Sequence, residues 1–145
     1  MSQTKYKLPT DLKSECISIV RGYERRVRLY HQRREKVIYG SPTPDGQPRG
    51  NTLPDITQDK AIRLEVIESS FDTRAMRAVE HARAMVGIDL ADESARQILR
   101  AAIMDSCLKG RNFCFGYWPL TMERDNFYER RRRFLYDIAN YLGFL

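Results

Sequence analysis

A proline- and glycine-rich segment divides the first half of the sequence. It runs from Gly40 to Asp55, reads GSPTPDGQPRGNTLPD, and contains four prolines and three glycines in sixteen residues. Proline lacks the amide donor that helices and central strands need, and glycine weakens both, so the segment predicts an irregular connection. It is longer than most connections in compact domains, which is typical of functional or loosely ordered loops. Regular structure is therefore expected on either side of it.

The rest of the sequence has the apolar spacing of amphipathic α-helices, because apolar residues recur at intervals of three, four and seven. No strand pattern is present. Four helices are expected, over residues 11–39, from residue 57 or 59 to 86, over 92–109, and from residue 121 or 123 to 142. Asp92 or Asp89 is expected to cap the third helix, and Gly87 and Gly110 are expected to follow helix ends.

The order of these helices predicts two regions in an all-α fold. Residues 1–87 are expected to form a basic helical hairpin, in which two long helices pair antiparallel across the loop at residues 40–57. In residues 88–145, two helices are joined by RNFCFGYWPL, whose aromatic residues we expect to pack onto the neighbouring helices. Two helices joined by a turn, with glycine ending the first, have the form of a helix-turn-helix. The predicted fold is therefore a long N-terminal helical hairpin followed by a C-terminal helix-turn-helix.

Charge and hydropathy indicate which classes of binding partner this chain favours. The 145 residues include 25 lysines and arginines against 19 acidic residues, a net charge of +6. A basic balance favours nucleic acid or an anionic membrane surface. Residues 1–40 hold ten basic and four acidic side chains, so the first segment is the most basic one. No apolar run approaches the roughly 18 residues that a membrane helix requires, so we expect no membrane partner.

Patterns for catalysis or metal binding do not occur in the sequence. Cys16, Cys107 and Cys114 lack C-x-x-C spacing, which predicts reduced thiols rather than a zinc site. His31 and His81 are isolated, and no glycine-rich phosphate loop precedes a helix. We expect no metal, no cofactor and no enzymatic activity. The reduced thiols, with no apolar leader at the N-terminus, predict a cytoplasmic protein.

The last helix contains four consecutive arginines within NFYERRRRFLY. At 100° per residue its apolar side chains share one face, namely Phe127, Phe134, Leu135, Ile138, Tyr141 and Leu142. The opposite face holds the polar side chains Asn126, Glu129, Arg133 and Asn140. Arg130 and Arg132 lie on the flanks, and Arg131 falls within the apolar face. The four arginines are therefore expected in four environments.

The outward and flanking residues of this helix suit different contacts with DNA. Arg133 and Asn126 are candidates for base edges, because arginine reads guanine and asparagine reads adenine with two hydrogen bonds. Arg130 and Arg132 suit phosphates, which position a protein without specifying sequence. Arg124, with the helix N-terminus, can add a phosphate contact. The buried stem of Arg131 requires a carboxylate or a helix C-terminal carbonyl as partner.

A second interpretation of the arginine run remains open. A solvated face would pair Glu129 with Arg133 and Arg133 with Asp137, each four residues apart. The basic first helix also has two alternative interpretations: it can bind DNA, or its charged residues can flank a seam between subunits. Its secondary basic surface is formed by Arg21, Arg25 and Arg28.

Two stretches of the sequence resemble one protein family. SPTPDGQPRGNTLPDITQDKAIRL, residues 41–64, and RDNFYERRRRFLYDIANYLGFL, residues 124–145, resemble the phage late-gene transcriptional regulators of the ArpU and RinA type. These are small proteins of Firmicutes phages and prophages, and their C-terminal half is similar to the fourth region of sigma factors. The resemblance implies sequence-specific binding of double-stranded DNA in a bacterial host, with RNA polymerase as a further candidate partner. It carries the DNA-reading role to Arg124, Asn126, Tyr128, Arg130, Arg132 and Arg133.

The preferred prediction is a non-enzymatic, DNA-binding regulator of transcription. We expect a homodimer formed through the first two helices, since dimerisation doubles the phosphate contacts and matches a two-fold operator. The alternative is a phage assembly or packaging factor, or another helical interaction protein, that binds nucleic acid without specificity. A nuclease subunit is disfavoured because no carboxylate cluster is available to hold metal.

Overall fold

The computed structural model describes residues 5–40 and 53–145, with side chains in the second range described from residue 58 onward. Its α-helices are α1 (Thr10–Arg21), α2 (Tyr23–Tyr39), α3 (Leu53–Ser69), α4 (Phe71–Met85), α5 (Glu93–Lys109) and α6 (Arg124–Tyr141). Short 3-10 helices at Gly110–Asn112 and Phe115–Tyr117 separate α5 from α6. No strand occurs in the described ranges, which confirms the all-α fold class. Residues 41–52 of the proline- and glycine-rich loop lie outside the described residues, so their irregular structure stays a prediction.

The helix expected over residues 11–39 is two helices, because Gly22 ends α1. Gly22 has φ −88° and ψ 3°, and glycine is among the weakest helix formers. Its amide still donates to the Ser18 carbonyl at 3.0 Å. Tyr23 then begins α2, and its hydroxyl donates to Glu80 Oε2 at 2.9 Å. The apolar spacing continues across this break, so it did not reveal the division.

The second expected helix is also divided, at Ser70, and it begins earlier than predicted. The Ser70 hydroxyl donates to the Ile67 carbonyl at 2.7 Å and accepts the Thr73 amide at 3.3 Å. One side chain thus closes α3 and caps α4. The start of α3 at Leu53, rather than at residue 57 or 59, is possible because Pro54 lies in the first turn. A proline there lacks only an amide that would have no helical partner.

The other helix ends follow the sequence closely. Asp92 is the N-cap of α5, since its carboxylate accepts the Ser94 amide at 3.2 Å. Asp89, the other candidate cap, is bonded elsewhere. Gly87 and Gly110 follow α4 and α5 with φ of 75° and 56°, a conformation that glycine adopts without strain.

The described chain divides into two compact units. One comprises the residues up to Tyr23 together with Ala75–Leu145, and the other is Glu24–Arg74. The expected boundary between residues 87 and 88 therefore falls inside the first unit. The reason is that α1 packs against α5 and α6 and so joins the C-terminal helices.

The first unit has one apolar core supplied by α1, α4, α5 and α6. Ala75, Ala78 and Ala82 give α4 a small-residue face with no exposed surface. The largest of its fully buried side chains are Phe127 and Phe134 of α6. The core therefore fixes α6 through two aromatic anchors that lie seven residues apart on one face.

In the second unit, α2 and α3 run antiparallel. Lys60 Nζ donates to the Ile38 carbonyl at 3.0 Å near one end. Near the other end, the buried Tyr30 hydroxyl donates to the carboxylate of Glu68. This is the order of neighbours in a helical hairpin, and the loop that would complete the hairpin lies largely outside the described residues.

Candidate nucleic-acid interface

The aromatic segment between α5 and α6 holds the start of α6. The Phe113 ring stacks on Phe127 with centroids 5.5 Å apart, and the Phe115 ring lies 5.3 Å from the same residue. Trp118 is partly buried against the core. The expectation that this segment packs onto its neighbours is thus confirmed, although Tyr117 is 88% exposed.

The predicted phase of α6 agrees with the burial of its side chains. Phe127, Phe134, Leu135, Ile138 and Leu142 are buried. On the opposite face, Asn126, Arg133 and Asn140 are exposed. Tyr141 departs from the prediction, since it is 45% exposed and its ring lies 5.3 Å from the His81 ring. The polar face of α6 is therefore available to a partner.

A cavity of about 500 Å³, the α6 cleft, borders this polar face. Asn126, Arg130 and Arg133 line one side of it, and residues 85–89 line the other. Tyr6, Glu129 and Asp137 complete the polar part of the wall. The two candidate base-reading residues and one candidate phosphate-binding residue therefore open onto the same concave surface.

Arg130 is bound to Asp89 within this cleft. Its two terminal nitrogens donate to Asp89 Oδ1 at 2.8 Å and to Oδ2 at 2.6 Å, and its Nε donates to Asn126 Oδ1 at 3.2 Å. The hydrogen bonds from Arg130 lower the pKa of Asp89 to about 2. Arg130 was expected to offer its charge to phosphate, but Asp89 already occupies that fork-shaped donor set.

This ion pair predicts a pH-dependent part of the stability. Because the folded-state pKa of Asp89 lies below its ordinary value of 3.8, the stabilisation is present above about pH 4. It is lost as the pH falls through about 2. We expect Asp89→Asn to lower the free energy of unfolding by roughly 0.5–1 kcal/mol at pH 7, a small effect because the carboxylate is well solvated.

Urea unfolding of wild type and the Asp89→Asn variant at pH 7, 4 and 2 measures this contribution. Asp125→Asn is the matched control, since Asp125 is an exposed carboxylate on α6, the helix that carries Arg130. The gap between wild type and Asp89→Asn is expected to close near pH 2. A gap of the same size at all three values would mean that the ion pair does not cause it.

Arg131 and Arg132 have partners of different kinds. Arg132 donates to Glu129 Oε2 at 2.5 Å, so its charge is partly satisfied. Arg131 Nε donates to the buried Ser106 hydroxyl at 3.0 Å. The expected carboxylate or helix C-terminal carbonyl was wrong, because the stem of Arg131 reaches α5 one residue before Cys107, at a hydroxyl that donates onward to the Ile103 carbonyl at 2.7 Å.

Arg133 is exposed, and its guanidinium lies 5.4 Å from the centre of the Tyr6 ring. Neither of the ion pairs of the solvated-face interpretation, with Glu129 or with Asp137, is formed among the described residues, since Glu129 binds Arg132. Burial raises the pKa of Asp137, and the nearby charge of Arg133 opposes that shift. Within the described chain, Arg133 therefore keeps its hydrogen-bond donors for a partner.

Arg124 and Tyr128 lie together at the start of α6. The Arg124 guanidinium lies 5.6 Å from the Tyr128 ring centre, and that ring contacts Phe127 edge-on at 5.2 Å. Arg124 is exposed, and Tyr128 is half-buried. Both residues lie near the N-terminal end of α6, as does Asn126.

The three residues predicted to form a secondary basic surface are divided between the two compact units. Arg21 Nε donates to the Cys107 carbonyl at 3.0 Å, so Arg21 binds a C-terminal carbonyl of α5 in a structural role. Arg25 and Arg28 are exposed on α2, in the second unit. Arg21 belongs to the first unit, so the secondary basic surface stays a prediction.

Three residues that contact the arginines of the run were missed by sequence reasoning. Asp89 lies 41 residues from its partner Arg130, Ser106 lies 25 residues from Arg131, and Tyr6 lies outside every predicted helix. Helical spacing relates residues within one helix, so it gave no signal for these contacts between elements. Net charge alone could only indicate that some arginines have acidic partners.

The described residues contain no group of histidine, cysteine or acidic side chains placed to hold a metal ion. Across the same residues, every helix is too short or too polar to cross a bilayer. Comparison of the chain with protein-family models, curated proteins and solved structures finds no match.

Proposed function

We propose that the protein is a non-enzymatic, sequence-specific DNA-binding regulator of transcription that reads DNA with the polar face of α6. One observation carries the proposal. The helix buries its apolar face while Arg133 and Asn126 stay exposed on the opposite face. Arginine and asparagine are the side chains that read guanine and adenine in the major groove, and Arg133 has no carboxylate partner among the described residues.

The remaining candidate residues are proposed to position the DNA backbone. Arg124 and Tyr128 supply a cation and a hydroxyl at the start of α6, where the helix end also favours phosphate. Arg132 contributes while retaining its contact with Glu129. Arg130 binds phosphate by releasing Asp89. Because the ion pair must first be broken, this phosphate contact contributes less than one made by an unpaired arginine.

The connection between α5 and α6 bears on how α6 would meet DNA. A standard helix-turn-helix has a turn of about three or four residues, whereas residues 110–123 separate α5 from α6. The contacts of Phe127 with the stacked Phe113 ring and the tilted Phe115 ring support a fixed angle for α6 despite this length. We propose that α6 is the reading helix of a helix-turn-helix variant whose tilt is set by the aromatic segment.

The resemblance to phage late-gene regulators supports the same function. It extends the proposal to double-stranded DNA as the target, to a bacterial cytoplasm, and to contact with RNA polymerase near the promoter. We also propose a homodimer formed through the region of the first two predicted helices. Ile62 and Val66 on α3 support this, since they are 53% and 62% exposed and would be covered by a second copy.

A second candidate function is an assembly or packaging factor that binds nucleic acid without specificity. The same exposed apolar side chains on α3 favour it, because they are also suited to a different protein partner. The pairing of Arg130 and Arg132 with carboxylates favours it as well, since paired arginines give weaker phosphate contacts.

Selection of bound duplexes from a random-sequence pool tests the preferred function. We expect repeated rounds to enrich a common sequence that includes guanine or adenine at the positions nearest α6. Binding without enrichment would favour the assembly factor, and the absence of any duplex binding would contradict both candidates.

A further inference from the structure

A second concave surface, the basic cleft, lies between the start of α1 and α6. Its volume is about 340 Å³, and its lining comprises Tyr6, Lys7, Leu8, Thr10, Lys13, Arg132 and Leu135. All of these residues belong to the first compact unit. The cleft is separate from the α6 cleft, but Tyr6 lines both.

The lining of the basic cleft has one sign of charge. Lys7, Lys13 and Arg132 supply three cations, Tyr6 and Thr10 supply hydroxyls, and no carboxylate is among the lining residues. Lys7 and Lys13 are exposed. Neither lysine has an ion pair or hydrogen bond from its ammonium group within the described residues, whereas Lys60 and Lys109 of other helices have such contacts.

Of the three cations, Lys7 and Lys13 have no acidic partner among the described residues, whereas the charge of Arg132 is partly satisfied by Glu129. Glu129, which binds Arg132, is not among the residues that line the cleft. Asp11, in the first turn of α1, is exposed and also outside the lining. Converging cations with low-dielectric walls concentrate a positive potential in a cleft, and that potential attracts anions.

The position of the basic cleft relates it to the candidate DNA-reading face. Tyr6 packs edge-on against Tyr136 of α6 with ring centroids 5.3 Å apart, and the Arg133 guanidinium lies over the Tyr6 ring at 5.4 Å from its centre. Arg133 and the cations of the basic cleft are thus on neighbouring parts of one surface. A strand that contacts Arg133 would pass close to Lys7 and Lys13.

We propose that the basic cleft binds a phosphate group, and that in the complex with DNA this group is a backbone phosphate beside the bases read by α6. The inference rests on the proposed function for the source of the phosphate, and on the cleft itself for its chemistry. Lysines suit this role because an ammonium group acts as a mobile point charge for phosphate oxygens. Hydroxyls of Tyr6 and Thr10 can donate to the same oxygens.

The test compares a Lys7→Gln, Lys13→Gln double variant with wild type in duplex binding at several salt concentrations. The control is the Lys36→Gln, Lys109→Gln double variant, which removes the same charge from exposed lysines outside the cleft. Each phosphate contact adds about 0.9 to the slope of log affinity against log salt. We expect the slope to shrink by about 1 to 2 in the cleft variant and to stay unchanged in the control.

Titration of the isotope-labelled full chain with inorganic pyrophosphate, followed by NMR, tests whether the cleft binds free phosphate independently of DNA. We expect the amide signals of Lys7, Leu8 and residues 10–13 to shift in wild type and to stay in place in the cleft variant. If wild type bound no duplex but pyrophosphate still shifted these signals, the proposed function would fail and the phosphate site would stand. If wild type bound duplex and both double variants kept its slope, the inference would fail and the proposed function would stand.

Discussion

A Phe134→Ala variant is expected to lose about 3–5 kcal/mol of its free energy of unfolding. Phe134 is 1% exposed and lies in the apolar core of the first unit, so its removal leaves a cavity between α6 and the neighbouring helices. Native domains are stable by only about 5–15 kcal/mol, so the loss is a large part of the total. Urea unfolding followed by circular dichroism measures it as a shift of the midpoint.

Tyr141→Ala is the matched control for this prediction. It removes an aromatic ring from the same helix, but Tyr141 is 45% exposed. We expect it to cost less than about 1 kcal/mol, as for a surface substitution with few contacts. Equal unfolding midpoints for the two variants would show that the phase of α6 is wrong, and with it the assignment of Arg133 to the outward face.

Arg133→Ala should weaken binding to a selected duplex by roughly 1–3 kcal/mol and relax the preference at one base position. The reason is that the guanidinium is exposed and can donate two parallel hydrogen bonds to guanine. Stability should change little, since the contact of Arg133 with Tyr6 is an exposed cation–π interaction worth about 0.5–1 kcal/mol. Fluorescence anisotropy with selected and random duplexes measures both effects.

Arg63→Ala controls for the loss of one positive charge. Arg63 is exposed on α3 and pairs only at the surface, with Asp59 at 3.0 Å. This variant is expected to keep the affinity and the base preference of wild type. If Arg133→Ala did the same, Arg133 would have no part in reading DNA.

The parts of the fold that were predictable are those set by neighbours along the chain. The burial of Phe127, Phe134 and Ile138 follows from their shared helical phase. Asp92 and Gly110 mark the ends of α5 because a capping carboxylate and a left-handed glycine are local requirements. These features need no knowledge of what packs against the helix.

The parts that were not predictable depend on contacts between elements. An apolar stripe persists through Gly22 and through Ser70, so both helix breaks were hidden. The two units differ from the expected division because α1 joins the C-terminal helices rather than pairing with the second helix alone. Sequence spacing carries no information about such a choice of partners.

The candidate site shows the same division between local and distant causes. The four arginines do occupy four environments, as their phase indicates. Their partners came from elsewhere in the chain in two of the cases, since Asp89 binds Arg130 and Ser106 binds Arg131. These contacts lower the number of arginines that can meet DNA directly, and they leave Arg133 as the central candidate.

Sequence-specific DNA binding is tested most directly by the ratio of affinities for a selected duplex and for a random duplex. Both are measured with wild-type protein across a range of salt concentrations. Both affinities should fall as salt rises, because both include phosphate contacts. The selected duplex is expected to keep a preference of about a thousandfold or more. Equal affinities for the two duplexes at every salt concentration would contradict it.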